Sequence, residues 1–367
     1  MTSGSPGRLI ILFAIPLMLG NICQQLYTMV DTMVVGQIAG VEALAALGAV
    51  DFLMWVVTGI STGLTQGFSI QLSQYYGAKD FENLRKSLAH SYRLTAFIAV
   101  GVFILSQSFA SLILTGLHTP SNIIGMSLLY LRIIFCGIPA TAAYNMFASA
   151  LRAMGNSKTP LTAMIIASVL NVSLDILFVA GFGWGVAGAA IATVIAQSFS
   201  AVYCFLILRR IDIVHLTKTD FMPASGMNAR LMKLGIPVVF QNIIIGVGGL
   251  VVQYVINGYG FLFVAGFTAT NKLYGLLEMA AISYGYAIVT YVGQNLGAGK
   301  IDRIRKGVRS SMLLSLLTSL IISAAMFLFG KNILSLFISG EPQQTQQVLA
   351  IAFKYLSIMA AMLWVLY

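Results

Sequence analysis

Long apolar segments separated by short polar ones fill this chain from end to end. An α-helix needs about 20 consecutive apolar residues to cross a bilayer, and that length recurs along the whole sequence. The predicted spans are residues 9–35, 44–75, 89–114, 123–150, 159–180, 186–208, 232–257, 261–292, 308–329 and 347–367. The pattern predicts an all-α polytopic membrane protein with about ten spans.

Composition agrees with this class and excludes a soluble globular domain. Of the 367 residues 58% are hydrophobic and 9% are charged. The net charge of +10 would suit a nucleic-acid partner, but the basic residues lie mainly in alternate loops. The loops after spans two, four, six and eight are rich in Lys and Arg, whereas the opposite side contributes only Lys331. This positive-inside bias predicts a multi-pass protein of the cell membrane with a cytoplasmic N-terminus and no nucleic-acid partner.

The chain also repeats itself after about 220 residues, which is a feature of transporter folds. The matching segments are Ile15-Pro16 with Ile236-Pro237, Asn21 with Asn242, Gln74-Tyr-Tyr-Gly77 with Gln294-Asn-Leu-Gly297, and Arg85-Lys86 with Arg305-Lys306. Because each repeat would hold an even number of spans, the two units point the same way and are related by a pseudo-two-fold axis along the membrane normal.

The repeat divides the chain into two lobes. Residues 1–210 form a predicted N-terminal lobe of six helices, 211–227 a cytoplasmic linker, and 228–367 a C-terminal lobe with four helices. Counterparts of spans five and six are missing from the second unit. We therefore expect a truncated protein or a fragment of a longer one.

One carboxylate stands out within the first span. Asn21, Gln24, Thr28 and Asp31 follow each other at spacings that place them on one helical face. An ionised Asp at a bilayer centre costs about 2.5–3.5 kcal/mol on insertion scales, so such residues usually face a protein interior and mark function. Pro16, which lies before this face, predicts a bend or hinge in the helix.

A second intramembrane carboxylate lies in span five. Asn171 and Asp175 are four residues apart and share a helical face, as do Tyr27 and Asp31 in span one. Two carboxylates surrounded by amide and hydroxyl oxygens suit a proton or a hard cation such as Na⁺, which we assign to Asp31, Asn171 and Asp175. The alternative is that each carboxylate only forms a hydrogen bond with a neighbouring helix.

Other polar residues in the spans are candidates for a substrate cavity. They are Asn21, Gln24, Thr28, Gln241, Asn242, Lys272 and Glu278. The sequence contains no Walker phosphate loop and no HExxH motif, so no enzyme class is indicated. No cofactor is predicted, and a driving force other than ATP is implied.

Several motifs together resemble those of a known family. They are residues 30–36 (VDTMVVG), 151–160 (LRAMGNSKTP), 185–193 (GVAGAAIAT) and 293–299 (GQNLGAG). In this order and topology they resemble the multidrug and toxic compound extrusion (MATE) transporters, and the DinF-like branch fits best. The resemblance implies two six-helix bundles around a central cleft. These bundles would rock between two states as Na⁺ or H⁺ enters and a drug-like, often cationic, compound leaves.

The resemblance also implies which residues bind the coupling cation. In that branch the site uses a Tyr and an Asp on the first helix, an Asn and an Asp on the fifth, and a Thr on the sixth. The matching residues here are Tyr27, Asp31, Asn171, Asp175 and Thr193.

The expected partners are therefore the lipid bilayer and small drug-like molecules, and the expected state is a monomer. Two alternatives remain at this stage. One is a flippase for lipid-linked sugars or peptidoglycan precursors, which would need a cationic cavity for a pyrophosphate. The other is a degenerate, non-transporting scaffold.

Overall fold

The computed structural model describes residues 1–117, 119–257, 259, 261–335 and 342–366, and the side chains within them other than those at 41, 52, 250, 253, 257, 261, 264, 265, 272, 342 and 366. The described part of the chain is helical and contains no β-strand. The helices are α1 (Pro6–Ile38), α2 (Val41–Gly48), α3 (Asp51–Ala78), α4 (Phe81–Gly116), α5 (Ile124–Cys136), α6 (Ile138–Ala153), α7 (Lys158–Asp175), α8 (Gly185–Arg209), α9 (Met227–Asn257), α10 (Phe261–Gly297), α11 (Ile301–Ser335) and α12 (Pro342–Leu366).

The predicted spans agree with these helices, but two of the spans are broken. Within the described residues, 8 single helices are long and apolar enough to cross a membrane, and two bent helix pairs bring the number to 10. The pair α2 and α3 bends by 40°, and the pair α5 and α6 by 45°. The second break falls at Gly137, just before Pro139 in the first turn of α6. Because proline has no N–H to donate, it is tolerated at a helix start and favours a new helix there.

The bend expected at Pro16 is not seen as a break in the helix. Helix α1 runs without interruption through Pro16, and α9 runs through Pro237. A different irregularity occurs in α7, which continues after Asp175 as a π-helical segment, Ile176–Gly181. Such segments are rare and are frequent at functional sites.

The linker between the two halves is attached to the start of α4. The carboxylate of Asp220 lies 3.7 Å from the Arg85 guanidinium, and Arg93 donates a hydrogen bond to the Phe221 carbonyl at 2.9 Å. The buried His90 ring contacts Asn228 Oδ1 at 2.7 Å. The linker is therefore packed onto the N-terminal half rather than extended into solvent.

The two halves meet along α3, which packs against both α9 and α10. The contact is close because it is made at glycines: Gly67 lies directly against Gly235. The repeated motifs themselves meet where α3 and α10 end. A methyl group on Gly77 would overlap the Gln294 carbonyl there, and one on Gly297 would overlap the Gln74 carbonyl. The internal repeat thus creates a pseudo-symmetric contact between the halves.

Candidate functional site

The two predicted intramembrane carboxylates lie in the interior of the N-terminal half. Asp31 on α1 is 5% exposed, and Asn171 and Asp175 on α7 are fully buried. Helix α1 packs directly against α7, and an electrostatic interaction links Asp175 to Asp31. Asp31 in turn interacts electrostatically with Asp51 at the start of α3. The structure therefore places the two acidic residues on packed helices within one half.

Helix α8 completes this group of polar residues. The Asn171 amide donates to Thr193 Oγ1 at 3.4 Å, and the Gln197 amide donates to the Tyr27 hydroxyl at 3.2 Å. These two hydrogen bonds connect α8 to α7 and to α1. All five residues assigned to the cation site thus belong to one cluster of three packed helices, which we call the acidic cluster (Tyr27, Asp31, Asn171, Asp175, Thr193 and Gln197).

Among the residues that the structure describes, most acceptor oxygens of the acidic cluster find no hydrogen-bond partner. The unpartnered buried atoms are Asp31 Oδ1, Asn171 Oδ1, both carboxylate oxygens of Asp175, and Gln197 Oε1. Buried polar atoms are nearly always paired in folded proteins, and an unpaired one is costly. Oxygen acceptors that converge without donors fit a proton or a hard cation. The described residues contain no group of three or more His, Cys, Asp or Glu side chains that could hold a metal ion.

The sequence prediction missed two members of this region. Gln197 follows Thr193 by four residues, the spacing that also relates Tyr27 to Asp31. That spacing is a signal by which Gln197 could have been found. Tyr130 on α5 is buried and interacts electrostatically with Asp31 and with Asp175. Nothing in its local sequence points to this role, because only packing of α5 on α8 brings it there.

The polar face predicted on α1 is divided between two environments. Asn21 does not reach the acidic cluster: its amide donates to Ser283 Oγ of α10 at 3.2 Å and so connects the two halves. Thr28 is exposed and bonds the Gln24 carbonyl of its own helix at 3.0 Å. One face of a helix therefore serves the interhalf contact at one end and the acidic cluster at the other.

A cavity of about 400 Å³ lies between the halves, enclosed by α3, α9 and α10. Its lining includes Gln241, Asn242 and Glu278, which were predicted for a substrate cavity, together with Trp55 and Tyr286. Asn242 also donates a hydrogen bond to the Gly59 carbonyl at 3.1 Å. Asn21, Gln24 and Thr28 do not belong to this lining. The predicted Lys272 side chain lies outside the described residues.

One end of the cavity is closed by contacts between the halves. The Arg152 guanidinium of α6 lies 4.6 Å from the centre of the Tyr286 ring of α10, a cation–π contact. Beyond it, Gln294 donates to the Ala153 carbonyl at 2.7 Å. The glycine contacts of α3 with α10 lie at the same end. The cavity is therefore sealed on the side where α3 and α10 end.

Comparison with known proteins places this architecture in a family. The MatE family model matches residues 16–177 and 237–366. The probable multidrug resistance protein YpnP of Bacillus subtilis is 31% identical over 341 residues, which is 93% of this chain and 76% of that protein. The probable multidrug resistance protein NorM of Thermotoga maritima is 26% identical over 339 residues, 91% of this chain and 72% of that protein.

Solved structures share the fold. A MOP superfamily transporter from Pyrococcus furiosus superposes with a TM-score of 0.92 at 23% sequence identity, covering 98% of this chain and 80% of that one. The sequence match spans both halves of the chain, and the structural match extends over nearly all of it. The chain therefore belongs to the MatE family of membrane transporters, which are not enzymes.

Proposed function

We propose that this protein is a secondary active multidrug exporter driven by Na⁺ or H⁺. The observation that carries the proposal is the acidic cluster, where two buried carboxylates on packed helices have oxygens without a hydrogen-bond partner in the described part of the chain. Relatives named as multidrug resistance proteins support the same conclusion. A cation or a proton that enters the cluster would satisfy these oxygens, so its binding is coupled to the packing of three helices.

In this mechanism the cation acts by changing the charge of the acidic cluster. With both carboxylates ionised, Asp31 and Asp175 repel each other across the contact of α1 with α7. Neutralisation removes that repulsion and lets α1 approach α7. Pro16 weakens the backbone hydrogen bonds of α1 at one point, so it is the proposed hinge at which the helix adjusts.

The structure corresponds to the outward-facing state in this proposal. The sealed end of the cavity is the one predicted to be cytoplasmic from the Lys and Arg distribution. Alternating access then requires the two pseudo-symmetric contacts, Gly77 with Gln294 and Gly297 with Gln74, to separate. At these contacts glycine lets the two backbones approach each other without a side chain of its own between them.

The cavity between the halves is the proposed substrate site. Its volume of about 400 Å³ is in the range that holds drug-sized ligands. Glu278 supplies a carboxylate there, and Trp55 and Tyr286 supply aromatic faces. This combination favours a cationic aromatic compound, because a carboxylate and aromatic rings both attract organic cations.

The same lining argues against the flippase alternative. A pyrophosphate-bearing lipid would need several basic side chains, and none of the residues that line the described cavity is Lys or Arg. Arg152 lies beneath Tyr286 and is engaged with its ring. We therefore favour drug export.

The test is efflux of ethidium from vesicles that contain the protein, with Na⁺ and pH gradients imposed separately. One of the two gradients should drive efflux, and Asp31→Asn should lower the driven rate by about 100-fold or more while the protein still inserts in the membrane. The matched control is Asp302→Asn, which removes an exposed carboxylate at the start of α11 and should transport normally.

Two outcomes would contradict the proposal. Normal driven efflux by Asp31→Asn would remove the acidic cluster from the mechanism. Efflux by neither gradient, together with movement of a fluorescent lipid-linked pyrophosphate across the vesicle membrane, would favour the flippase.

A further inference from the structure

A second cavity, separate from the one between the halves, opens beside the start of α7. Its volume is about 450 Å³. It is lined by Met1, Leu9, Leu12, Phe13, Tyr76, Met154, Gly155, Asn156, Ser157 and Lys158. The lining has a polar end, formed by the turn between α6 and α7, and an apolar end, formed by the first turns of α1.

The polar end lies at the N-terminus of α7. The first N–H groups of a helix have no partner within the helix, and their dipoles favour a negative charge. At the start of α7 the Thr159 N–H is taken by Asn156 Oδ1 at 3.0 Å and Pro160 has no N–H, so the Lys158 N–H is the one that makes no hydrogen bond within the described residues. Gly155, with a φ of +90°, allows the chain to turn sharply into the helix.

Two side chains at this end add donors aimed at the same space. Ser157 is 4% exposed, lines the cavity, and its hydroxyl makes no hydrogen bond within the described residues. The neighbouring Lys158 is exposed, lines the cavity, and its ammonium forms no salt bridge with any described carboxylate. None of the ten lining residues is acidic. A buried hydroxyl, a lysine and a helix N-terminus together form a site for a phosphate group.

The apolar end extends this site in one direction only. Leu9, Leu12 and Phe13 lie on successive positions of the first helix, and Leu12 is 56% exposed beside the cavity. A free phosphate gains nothing from contact with these apolar side chains, whereas an acyl chain attached to a phosphate would cover them and bury apolar surface. The predicted cytoplasmic side of the membrane, where this cavity lies, also carries most of the Lys and Arg residues.

We propose that this cavity binds the headgroup phosphate of an anionic phospholipid from the cytoplasmic leaflet. The phosphate accepts hydrogen bonds from the Ser157 hydroxyl and the Lys158 backbone N–H and is paired with the Lys158 ammonium. The first acyl segment lies along Leu9 and Leu12. Because the site joins α1 to the turn between α6 and α7, a bound lipid stabilises the packing of α1 on α7 from its cytoplasmic end.

The test is native mass spectrometry of the delipidated protein in detergent, titrated with phosphatidylglycerol and, separately, with phosphatidylcholine. We expect phosphatidylglycerol to bind preferentially and the double variant Ser157→Ala, Lys158→Gln to lose about tenfold in affinity for it. Lys306→Gln, which removes an exposed lysine on α11 outside the cavity, is the matched control and should bind as the unmodified protein does.

A competition with inorganic phosphate distinguishes a lipid headgroup from free phosphate as the bound anion. The measurement is how much of the lipid inorganic phosphate displaces. Millimolar phosphate should leave the phosphatidylglycerol adduct intact. Displacement at that concentration would overturn the lipid assignment, and equal losses in the double variant and in Lys306→Gln would overturn the site.

Substitution of Leu12 by Gln should lower the phosphatidylglycerol affinity without changing thermal unfolding of the lipid-free protein, and no loss would overturn the placement of the acyl chain.

Discussion

The first helix of each half shows how two related units of one chain have diverged. Helices α1 and α9 both contain a proline followed by an asparagine, Pro16 with Asn21 and Pro237 with Asn242. The position that corresponds to Asp31 is Val252, which is 47% exposed. Asp31 is buried within its half, so the equivalent positions differ in both chemistry and environment. The difference indicates that α9 keeps the proline and the asparagine of α1 but lacks the carboxylate that α1 contributes to the acidic cluster.

The ends of α3 and α10, in contrast, have kept the symmetry of the repeat. Gly77 and Gly297 occupy equivalent positions of the repeated motif, and each lies against the backbone of the other unit's glutamine. Here the symmetry is kept because the two segments contact each other. A contact between equivalent surfaces constrains both partners alike, whereas a site inside one unit is free to differ.

The largest expected effect tests the asymmetry. Asp175→Asn should lower ion-driven efflux by about 100-fold, because it removes one of the two charges that the cation neutralises. Glu278→Gln, the matched change in the C-terminal half, should alter substrate affinity and leave the ion dependence of efflux unchanged. Ethidium efflux measured against the ion gradient separates the two. Equal loss of ion dependence in both variants would contradict the asymmetry.

An intermediate effect tests the symmetry. Gly77→Ala and Gly297→Ala should each destabilise the protein by about 1–3 kcal/mol, because the added methyl group overlaps the opposing backbone. The two losses should be similar, and thermal unfolding in detergent measures them. Gly101→Ala is the control: its Cβ would meet no atom within 4 Å. In a helix it should stabilise by about 0.5–1 kcal/mol. Very different losses at Gly77 and Gly297 would argue against a pseudo-symmetric contact.

The smallest expected effect concerns the outer part of the acidic cluster. Thr193→Val keeps the side-chain shape and removes the hydroxyl that accepts from Asn171. We expect the concentration of coupling ion needed for half-maximal efflux to rise about fivefold, the equivalent of one lost hydrogen bond. Thr115→Val, which removes an exposed hydroxyl that donates to the Ser111 carbonyl on α4, outside both the acidic cluster and the cavity, is the control and should leave that concentration unchanged. A value unchanged in Thr193→Val would remove Thr193 from the site.

The sequence was informative about the acidic cluster wherever the signal was local. A carboxylate in an apolar helix is costly, so Asp31 and Asp175 were recognisable as interior residues, and an i,i+4 spacing identified Asn171 and Tyr27 as their neighbours. Sequence reasoning did not identify Tyr130, because tyrosine is common in membrane helices and only the packing of α5 brings this residue to the carboxylates. The hydropathy pattern did not predict the breaks within spans two and four, because apolar residues continue across both of them.

The polar face of α1 illustrates the limit of a helical-wheel argument. Spacing places Asn21 and Asp31 on one face, but it does not show which neighbour each part of that face meets along a helix of 33 residues. Asn21 meets Ser283 of the other half, whereas Asp31 meets α7 of its own. Only the arrangement of the neighbouring helices assigns one to the interface and the other to the acidic cluster.

The amino-acid sequence by itself determined the class, the spans, the repeat and the acidic residues. Exposing polar groups to lipid is costly, so the local pattern of polar and apolar residues reveals these features. Tertiary structure decided which of those residues meet. It brought α8 to the acidic cluster through Thr193 and Gln197, and it placed the equivalent ends of α3 and α10 against each other. These are contacts between segments far apart in sequence, and their geometry depends on how whole helices pack.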